Sequence, residues 1–501
     1  MRSTSGAAIA ARHLAGRLLA VLLPAFPLLA VLLLGLQGCA GSSRVRASTG
    51  PGMGFLTPSA ALVRTLRPDV RITPILTAGD TLFPNGPGEL PFVFAGRAGG
   101  LGARNQGDGT AEVYVSHEDA WLDGVEGSMV SRLVLDLRNS GVQDARCVLR
   151  PDRGYMGFAH AALFDSRVGF LRPEFVVNER ANRIRYPLVT AIDALGGTIQ
   201  DMPWLGAMRH KSTISLPASG GRVLLIMTGG STSLSADQIY LYAANSDTDV
   251  LNGRGQLFVF RADPASVPFE SRSASRLRRG VPVTGSFVPL NGGSGRSPQI
   301  LEPLVQNLGS LNFVRLEGLA VDRERLNSFY FTDRLGYEQG AIIQTSAGAG
   351  RLYHMTLDDF DPTQVTELNV VLDASAGDDI YRPSSIDTDD QCVMIQEYPG
   401  ARGIHPSRIL RYDLRERRIE PVAVCLERDT RGRPAPSGVG GEWETSAITN
   451  VSDLFGEDSW LFTVQAHTVE IPQDRRRYGE GGQLLLLRGP RNPRAAIPGA
   501  Q

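Results

Sequence analysis

The sequence predicts an all-β protein, and three observations carry this prediction. From Phe92 onward, short apolar segments alternate with segments rich in Gly, Asp, Asn and Pro, which is typical of strands joined by tight turns. Glycine, at 56 residues, and proline, at 31, are frequent for a helical protein. Amphipathic helical patterns are few and short, and the best candidates lie near Thr190–Leu195 and Thr449–Phe455.

Two strand patterns recur along the chain. In the first, a glycine precedes an apolar or aromatic strand, as at Gly255–Phe260, Gly350–Met355 and Gly482–Leu487. In the second, an apolar strand ends in an acidic residue, as at Phe329–Asp333 and Val393–Glu397. Repeated hairpins of this kind predict a β-propeller with loop insertions and few short helices. Because the repeats have no fixed period, a pair of β-sandwiches is the alternative.

The first 38 residues have the three parts of a secretory signal peptide. Basic residues precede an apolar run from Leu18 to Leu36, and Gly38 stands immediately before Cys39. A leucine three residues before the cysteine and a glycine directly before it are typical of a lipobox, in which the cysteine is diacylated and becomes the new N-terminus. A transmembrane anchor is the alternative, and Pro24 and Pro27 disfavour a spanning helix.

We therefore expect an exported lipoprotein that is anchored in the cell envelope, facing the periplasm or the exterior. Ala40 rather than Asp follows Cys39, and the usual sorting rule then favours the outer membrane. Residues 39–54 are predicted to be the lipidated cysteine and a flexible tether. Residues 55–490 are predicted to form one domain, with 272–296 as an exposed insertion and 491–501 as a disordered tail.

Charge and cysteine content limit the partners and the covalent links. Lys and Arg total 51 and Asp and Glu total 52, so the chain lacks the basic excess that nucleic-acid binding needs. We expect a monomer. With Cys39 lipidated, Cys147, Cys392 and Cys425 remain. Cys392 and Cys425, both on predicted strands, either pair or stay buried and reduced. Lys211 is the only lysine in the chain.

Acidic residues and histidines lie at several predicted strand ends. The set comprises His117, Glu118, Glu317, Glu397, Glu444 and His467. In a propeller the inner strands end in a central channel, and carboxylates gathered there need a cation to hold them together. Oxygen ligands favour calcium, with iron or manganese as alternatives. For each glutamate alone a solvated or salt-bridged side chain is the simpler interpretation, so the metal prediction rests on the set.

Seven short motifs follow one another between about Phe92 and about Gly489. They are Ser116-His117-Glu118, Arg315-Leu316-Glu317-Gly318, Gly350-Arg351-Leu352-Tyr353, Tyr381–Ile386, Met394–Glu397, Glu442–Ile448 and Trp460–His467. Their order resembles that of the PhoX-type alkaline phosphatase family and its phytase- and esterase-like relatives. The resemblance implies a six-bladed propeller that carries an iron and calcium cluster in its channel and hydrolyses phosphate monoesters.

The resemblance also implies roles for individual residues. Glu118, Arg315, Glu317 and Glu397 fall on metal or phosphate positions of the family, and Glu444 is a further candidate ligand. Arginine suits the phosphate because the guanidinium fork matches an oxyanion. Metal ions would bridge the phosphate and activate a hydroxide nucleophile.

Three departures from the family bear on this prediction. The first departure lies in Arg209-His210-Lys211-Ser212, where the family has a glutamate after a histidine and this chain has Lys211. His210 remains a candidate site residue, and Lys211 becomes one. Thr228–Ser231 replaces an acidic pair, and Phe158–Ala161 occupies the place of a cysteine ligand. Lys211 either takes the place of a cation at a degenerate metal site, or fills the channel of a relic propeller through ion pairs with glutamate.

The sequence therefore predicts two alternative functions. The first is a metal-dependent hydrolase that acts on a small-molecule phosphoester through a degenerate calcium or iron site, with Arg315 and Lys211 in catalytic roles. The second is a non-catalytic propeller on the envelope that acts as a binding or scaffold protein, with no metal.

Overall fold

The computed structural model describes residues 54–82, 91–122, 125–217, 221–230, 236–268, 272–334, 350–398, 404–427, 443–470 and 480–489. The predicted signal peptide, Cys39, nearly all of the tether and the C-terminal tail lie outside these residues. The described part of the chain is all-β, with 28 strands and three short α-helices in a propeller-like arrangement. None of these helices is long and apolar enough to cross a membrane.

Two sheets near the start of the chain are four-stranded antiparallel meanders, in which each strand pairs with the next along the sequence. The first consists of β5 (Ala98–Asn105), β6 (Thr110–Leu122), β7 (Val125–Asp136) and β8 (Val142–Leu149). The second consists of β9 (Phe158–Phe164), β10 (Glu174–Glu179), β11 (Val189–Asp193) and β12 (Ile199–Asp201). A separate hairpin pairs β3 (Thr81–Leu82) with β4 (Phe92–Val93).

A nine-stranded sheet contains two further meanders and one bridging strand. The first meander is β13 (Arg209–Leu216), β14 (Val223–Gly230), β15 (Asp237–Ala244) and β16 (Gln256–Ala262). The second is β18 (Leu316–Val321), β19 (Ser328–Asp333), β20 (Arg351–Leu357) and β21 (Gln364–Asp373). Between β16 and β21 lies β17 (Val283–Pro289), which pairs with both.

Strands from the two ends of the chain share the last two sheets. One consists of β22 (Pro383–Thr388), β23 (Cys392–Glu397), β24 (Arg408–Asp413) and β25 (Arg418–Cys425), with β1 (Val63–Thr65) added beside β25. The other consists of β26 (Glu444–Asn450), β27 (Ser459–Glu470) and β28 (Glu480–Arg488), with β2 (Arg71–Thr77) beside β28.

Two expectations about local structure are wrong. Residues 272–296 are not simply an exposed insertion, because they contain β17, whose Val283 and Phe287 alternate into the apolar core. Thr190–Leu195 is not helical, because β11 covers most of it as a continuous buried strand. The second helical candidate, Thr449–Phe455, is helical only in α3 (Ser452–Phe455), because Thr449 and Asn450 end strand β26; α1 (Asp247–Leu251) and α2 (Pro298–Asn307) are additional.

The cysteines of the described residues are all unpaired. Cys392 and Cys425 are buried on β23 and β25, with β24 between them, and Cys147 is half-buried on β8. Burial raises the pKa of the Cys147 thiol to about 11. These cysteines therefore act as small apolar side chains rather than as cross-links or nucleophiles.

Six inner strands form the centre of the molecule. In the order β5, β9, β13, β18, β22 and β26, each packs against the next, and β26 packs against β5. Neighbouring inner strands approach one another so closely that some positions require glycine. A Cβ atom on Gly100 would lie 2.5 Å from the Ala161 nitrogen, and one on Gly318 would lie 2.6 Å from the Ser384 oxygen. An apolar cluster fills each space between neighbouring meanders.

Candidate functional site

Each inner strand carries a β-bulge near its first residue, and we call the end of the ring where these strands begin the mouth. At each bulge the inner strand has one residue more than the second strand of its meander. On the inner strands the shifts fall at Ala98/Gly100, Phe158/Ala161, His210/Ser212, Leu316/Leu319, Pro383/Ile386 and Thr445/Ile448. Bulges bend a strand and re-aim its side chains. His160, Lys211 and Glu317 lie on these bulged stretches.

The second strands repeat a three-residue pattern opposite the bulges. The first position is polar in all six meanders: Ser116, Asn178, Thr228, Thr332, Gln396 and Thr463. Three of these hydroxyls donate to a backbone carbonyl of the next inner strand. The pairs are Thr228 to Glu317 (3.1 Å), Thr332 to Ser384 (2.8 Å) and Thr463 to Ala98 (2.9 Å). These hydrogen bonds link neighbouring meanders beneath the mouth.

The second position braces the loop that leads into the inner strand. Three carboxylates at this position accept backbone N–H groups of that loop: Glu179 from Met156 (3.0 Å), Asp333 from Arg315 (2.9 Å) and Glu397 from Tyr381 (2.9 Å). Strand alternation directs these side chains away from those at the third position. Glu397, a predicted metal ligand, is therefore held with a structural set and not with the mouth residues.

The third position supplies side chains to the mouth. Glu118 accepts hydrogen bonds from Arg97 (3.2 Å) and Arg180 (2.7 Å). Arg334 donates to Glu317, and its guanidinium lies 4.3 Å from the centre of the Tyr398 ring. Sequence reasoning missed Arg180 and Arg334. The available signal was their position, one residue after an acidic strand end.

Glu317 is the centre of the cationic side of the mouth. Lys211 Nζ lies 3.1 Å from each of its carboxylate oxygens, and Arg315 Nε lies 3.3 Å from Oε1. Arg334 contacts the same Oε1, and His160 Nε2 lies 3.9 Å from Oε2. Burial acts to raise the pKa of Glu317, but Arg334, Lys211 and Arg315 outweigh it and hold the pKa well below its usual value. The predicted ion pair between Lys211 and a glutamate is thus present.

Three cationic side chains contact this one carboxylate, and the buried Asp237 carboxylate also acts electrostatically on Lys211 and Arg315. Burial lowers the pKa of Lys211 to about 8; Glu317 opposes this effect, and Arg334 and Arg315 add to it. The pKa of Arg315 is also lowered, chiefly by repulsion from Arg334. The Arg315 side chain is 49% exposed, whereas Lys211 and Arg334 are buried. The cationic group is therefore accessible from solvent through Arg315.

On the opposite side of the mouth carboxylates outnumber cations. His467 lies between Glu444, at 3.8 Å, and Glu480, to which it hydrogen-bonds. Burial acts to lower the pKa of His467, but the two glutamates outweigh burial and raise the pKa to about 10. Arg97 lies 3.5 Å from Asp119 in addition to its contact with Glu118. With Arg180 included, three cations face four carboxylates on this side.

The two remaining histidine candidates are buried in the structure around the mouth. His117 contacts the Gly96 carbonyl through Nδ1 (3.0 Å) and the Ser131 hydroxyl through Nε2 (2.9 Å). His210 Nε2 lies 2.7 Å from the Gly206 carbonyl. Burial lowers the pKa of both imidazoles to about 4. Both are neutral side chains that fix backbone near the bulges.

The described side chains at the mouth do not fit a resident metal ion. Within the described ranges, no three His, Cys, Asp or Glu side chains form a group that could hold one. Glu118 and Glu317 each already contact at least two cationic groups. A divalent cation beside them would meet like charges. Calcium or iron at this site stays a prediction from the sequence, and no chemical step is assigned to a metal here.

Comparisons with known proteins establish the fold. No protein-family model and no curated protein sequence matches the chain. Among solved structures, Pseudomonas fluorescens PhoX in complex with vanadate matches with a TM-score of 0.59 and 13% identity, over 87% of this chain and 98% of that one. At this identity the likeness concerns architecture alone, and the chain has a PhoX-like β-propeller fold.

Other solved structures match more weakly. An α-L-arabinanase of Penicillium chrysogenum gives a TM-score of 0.40 and 9% identity over 78% of this chain and 93% of that one. A hypothetical selenium-binding protein of Sulfolobus tokodaii gives a TM-score of 0.37 and 11% identity over 74% and 87%. These scores are too low to carry an argument about function.

Proposed function

We propose that this chain is a lipid-anchored, six-bladed envelope propeller that binds a small oxyanion of the phosphate class at the mouth, without a resident metal ion. One observation carries the proposal: Lys211, Arg315 and Arg334 all contact the single carboxylate of Glu317. Asp237 attracts Lys211 and Arg315 electrostatically, but Glu317 is the carboxylate that all three cations contact, so a second anion in direct contact with them would be stabilised.

Six blades are supported by three independent repeats. Six inner strands contact one another in a closed order. Each carries its bulge at the same place, and a polar residue faces every bulge from the second strand. Six apolar clusters lie between neighbouring meanders. The nine-stranded sheet then counts as two blades that β17 joins at their outer edges.

The chemistry of the cations favours a phosphate-like ligand. Two guanidinium groups, Arg315 and Arg334, offer planar donor forks that match two oxygens of a tetrahedral oxyanion, and Lys211 adds a point charge. Arg180, which donates to Glu118, also interacts electrostatically with Glu317. The PhoX structure was solved with vanadate, described as a transition state analogue. That ligand belongs to PhoX, but it makes vanadate a reasonable second probe here.

The test is calorimetric titration of the purified protein with inorganic phosphate and with vanadate, in the presence of a chelator. We expect binding, and we expect Lys211→Ala to weaken it by about tenfold or more, because a charge-assisted hydrogen bond contributes about 1.5–3 kcal/mol. Arg418→Ala, which changes an exposed arginine on β25, is the matched control and leaves affinity unchanged. Absence of binding, or equal binding by Lys211→Ala, would contradict the proposal.

A metal-dependent phosphoester hydrolase is the second candidate. It is favoured by the fold likeness to PhoX and by the presence of Glu118, Glu317 and Glu444 on the two sides of one mouth. Metal content by mass spectrometry, together with a phosphate-release assay in added calcium, separates the two candidates. Stoichiometric calcium or iron, with activity that Glu317→Ala abolishes, supports the hydrolase. A folded, metal-free and inactive protein that binds phosphate supports the binding propeller.

Anchoring through Cys39 is a separate part of the proposal, because that residue lies outside the described ranges. Two acyl chains on one residue hold a protein on a bilayer far better than one chain. Cys39→Ser is therefore expected to move the protein from the membrane fraction to the soluble fraction of cells. Separation of inner and outer membranes tests the expected outer-membrane location. Unchanged membrane retention of Cys39→Ser would contradict lipid anchoring.

A further inference from the structure

We propose that Glu317 is the resident anion of this site: its carboxylate occupies the position of a ligand oxyanion and competes with the ligand for the same three cations. Glu317 would thereby determine specificity, because only an anion with more charge than a carboxylate displaces it. This inference rests on the proposed function and names the class of ligand, which is a doubly charged oxyanion such as a phosphate or a phosphate monoester.

The contacts of the Glu317 carboxylate are those expected of a bound oxyanion. Oε1 receives donors from Lys211 at 3.1 Å, from Arg315 at 3.3 Å and from Arg334. Oε2 receives Lys211 at 3.1 Å and lies 3.9 Å from His160. Lys211 bridges both oxygens, so the three donors fit within the about four acceptor positions of a carboxylate. Among the described residues, however, Arg334 Nε is buried without a hydrogen-bond partner, so Glu317 leaves a donor of the site unmatched.

The backbone allows the carboxylate to leave without unfolding the strand. Glu317 lies on the bulge of β18, and its carbonyl is held by Thr228 Oγ1 at 3.1 Å. The next residue is fixed as well, because the Gly318 nitrogen donates to Thr332 Oγ1 at 2.9 Å. Because the main chain is held by these two hydrogen bonds, rotation about the side-chain torsions of Glu317 is enough to move its carboxylate away from the cations.

The charge of an anion determines whether it can displace the Glu317 carboxylate. A carboxylate tethered in place competes at an effective concentration on the order of millimolar or higher. An anion with a single charge gains no more Coulomb energy than the carboxylate it replaces. A phosphate monoester carries about 1.5 to 2 negative charges at neutral pH and offers three acceptor oxygens. It satisfies donors that Glu317 leaves unmatched, so phosphate binds where acetate and chloride do not.

The decisive experiment compares Glu317→Gln with the wild type by calorimetry with inorganic phosphate. Removing the competing charge is expected to tighten phosphate binding at least about tenfold, which equals about 1.4 kcal/mol. Acetate is expected not to bind the wild type and to bind Glu317→Gln. Glu397→Gln, a buried glutamate outside the mouth, is the control and leaves phosphate affinity unchanged. Equal or weaker phosphate binding by Glu317→Gln would overturn the proposal.

Loss of the Glu317 charge leaves the buried Lys211 and Arg334 and the half-exposed Arg315 without the carboxylate that they contact, so the stability of this variant is a second readout. Phosphate is expected to raise the unfolding temperature of Glu317→Gln by more than it raises that of the wild type. A variant that stays unfolded in saturating phosphate would overturn the proposal, since the ligand then fails to replace the carboxylate. If the wild type itself binds no phosphate, the proposed function fails. If the wild type binds through Lys211 but Glu317→Gln binds no tighter, only this inference fails.

Discussion

Glu317 and Glu397 are both buried glutamates in short motifs, but Glu317 lies near the start of the inner strand β18 and Glu397 ends the second strand β23. Arg408 contacts Glu397 at 2.8 and 2.9 Å, and the Tyr381 nitrogen donates to it. Glu317 is contacted by three cationic side chains. The comparison teaches that burial of a carboxylate does not define a site, whereas an imbalance between its charge and that of its neighbours does.

The largest effect on stability is expected for Arg408→Ala. Glu397 would then be buried without its cation, and we expect the free energy of unfolding to fall by about 3–5 kcal/mol, as for other broken buried ion pairs. Denaturant unfolding measures the change. Arg418→Ala removes an exposed arginine from the same sheet and is expected to cost less than about 1 kcal/mol. A loss at Arg408 as small as that at Arg418 would show that Glu397 does not depend on its partner.

The second prediction concerns the surroundings of Glu317. Arg334→Ala is expected to weaken phosphate binding by about tenfold to hundredfold, since a charge-assisted hydrogen bond is lost. Stability is expected to fall less than in Arg408→Ala, because Lys211 and Arg315 still contact Glu317. Arg334→Lys keeps the charge but not the planar fork, and its affinity is expected to lie in between. Equal affinities of Arg334→Ala and the wild type would remove Arg334 from the site.

The smallest expected effect concerns the side of the mouth around His467 and depends on pH. His467 has a pKa raised to about 10 by Glu444 and Glu480, against about 6.5 in the unfolded chain. Its stabilising contribution is thus complete below pH 6.5 and is lost as pH rises towards 10. The stability difference between the wild type and His467→Gln should be on the order of 1–2 kcal/mol at pH 6 and should shrink steadily to pH 10. A difference that does not change with pH would show that the imidazole is neutral.

The fold was predictable because its signals are local. The acidic-ended strands Phe329–Asp333 and Val393–Glu397 are β19 and β23, which occupy equivalent places in their meanders. The bridging strand β17 was missed, because a segment rich in Ser, Arg and Gly hides two inward residues, Val283 and Phe287. The helix predicted at Thr190–Leu195 failed because a strand buried on both faces lacks the alternation that identifies strands.

The candidate site was predictable only in part, because it depends on which face of a strand each residue occupies. Glu118, Lys211, Arg315, Glu317 and Glu444 do lie at the mouth. Glu397 does not, and the residues one position after an acidic strand end were overlooked. A single-residue difference in register changes the face of a strand. Bulges add such a difference on every inner strand, and no local pattern in the sequence announces them.

The pairing of β2 with β28 and of β1 with β25 has a consequence for how this chain reaches its native state. The first strands to emerge from a ribosome or a translocation channel are partners of the last. Until Glu480–Arg488 has been delivered, β2 has no neighbour, and its buried residues Ile75 and Leu76 remain on an open edge. Such an edge is a template for association with other chains. Addition of β28 is therefore the event that removes this hazard, and a product terminated before Glu480 retains it.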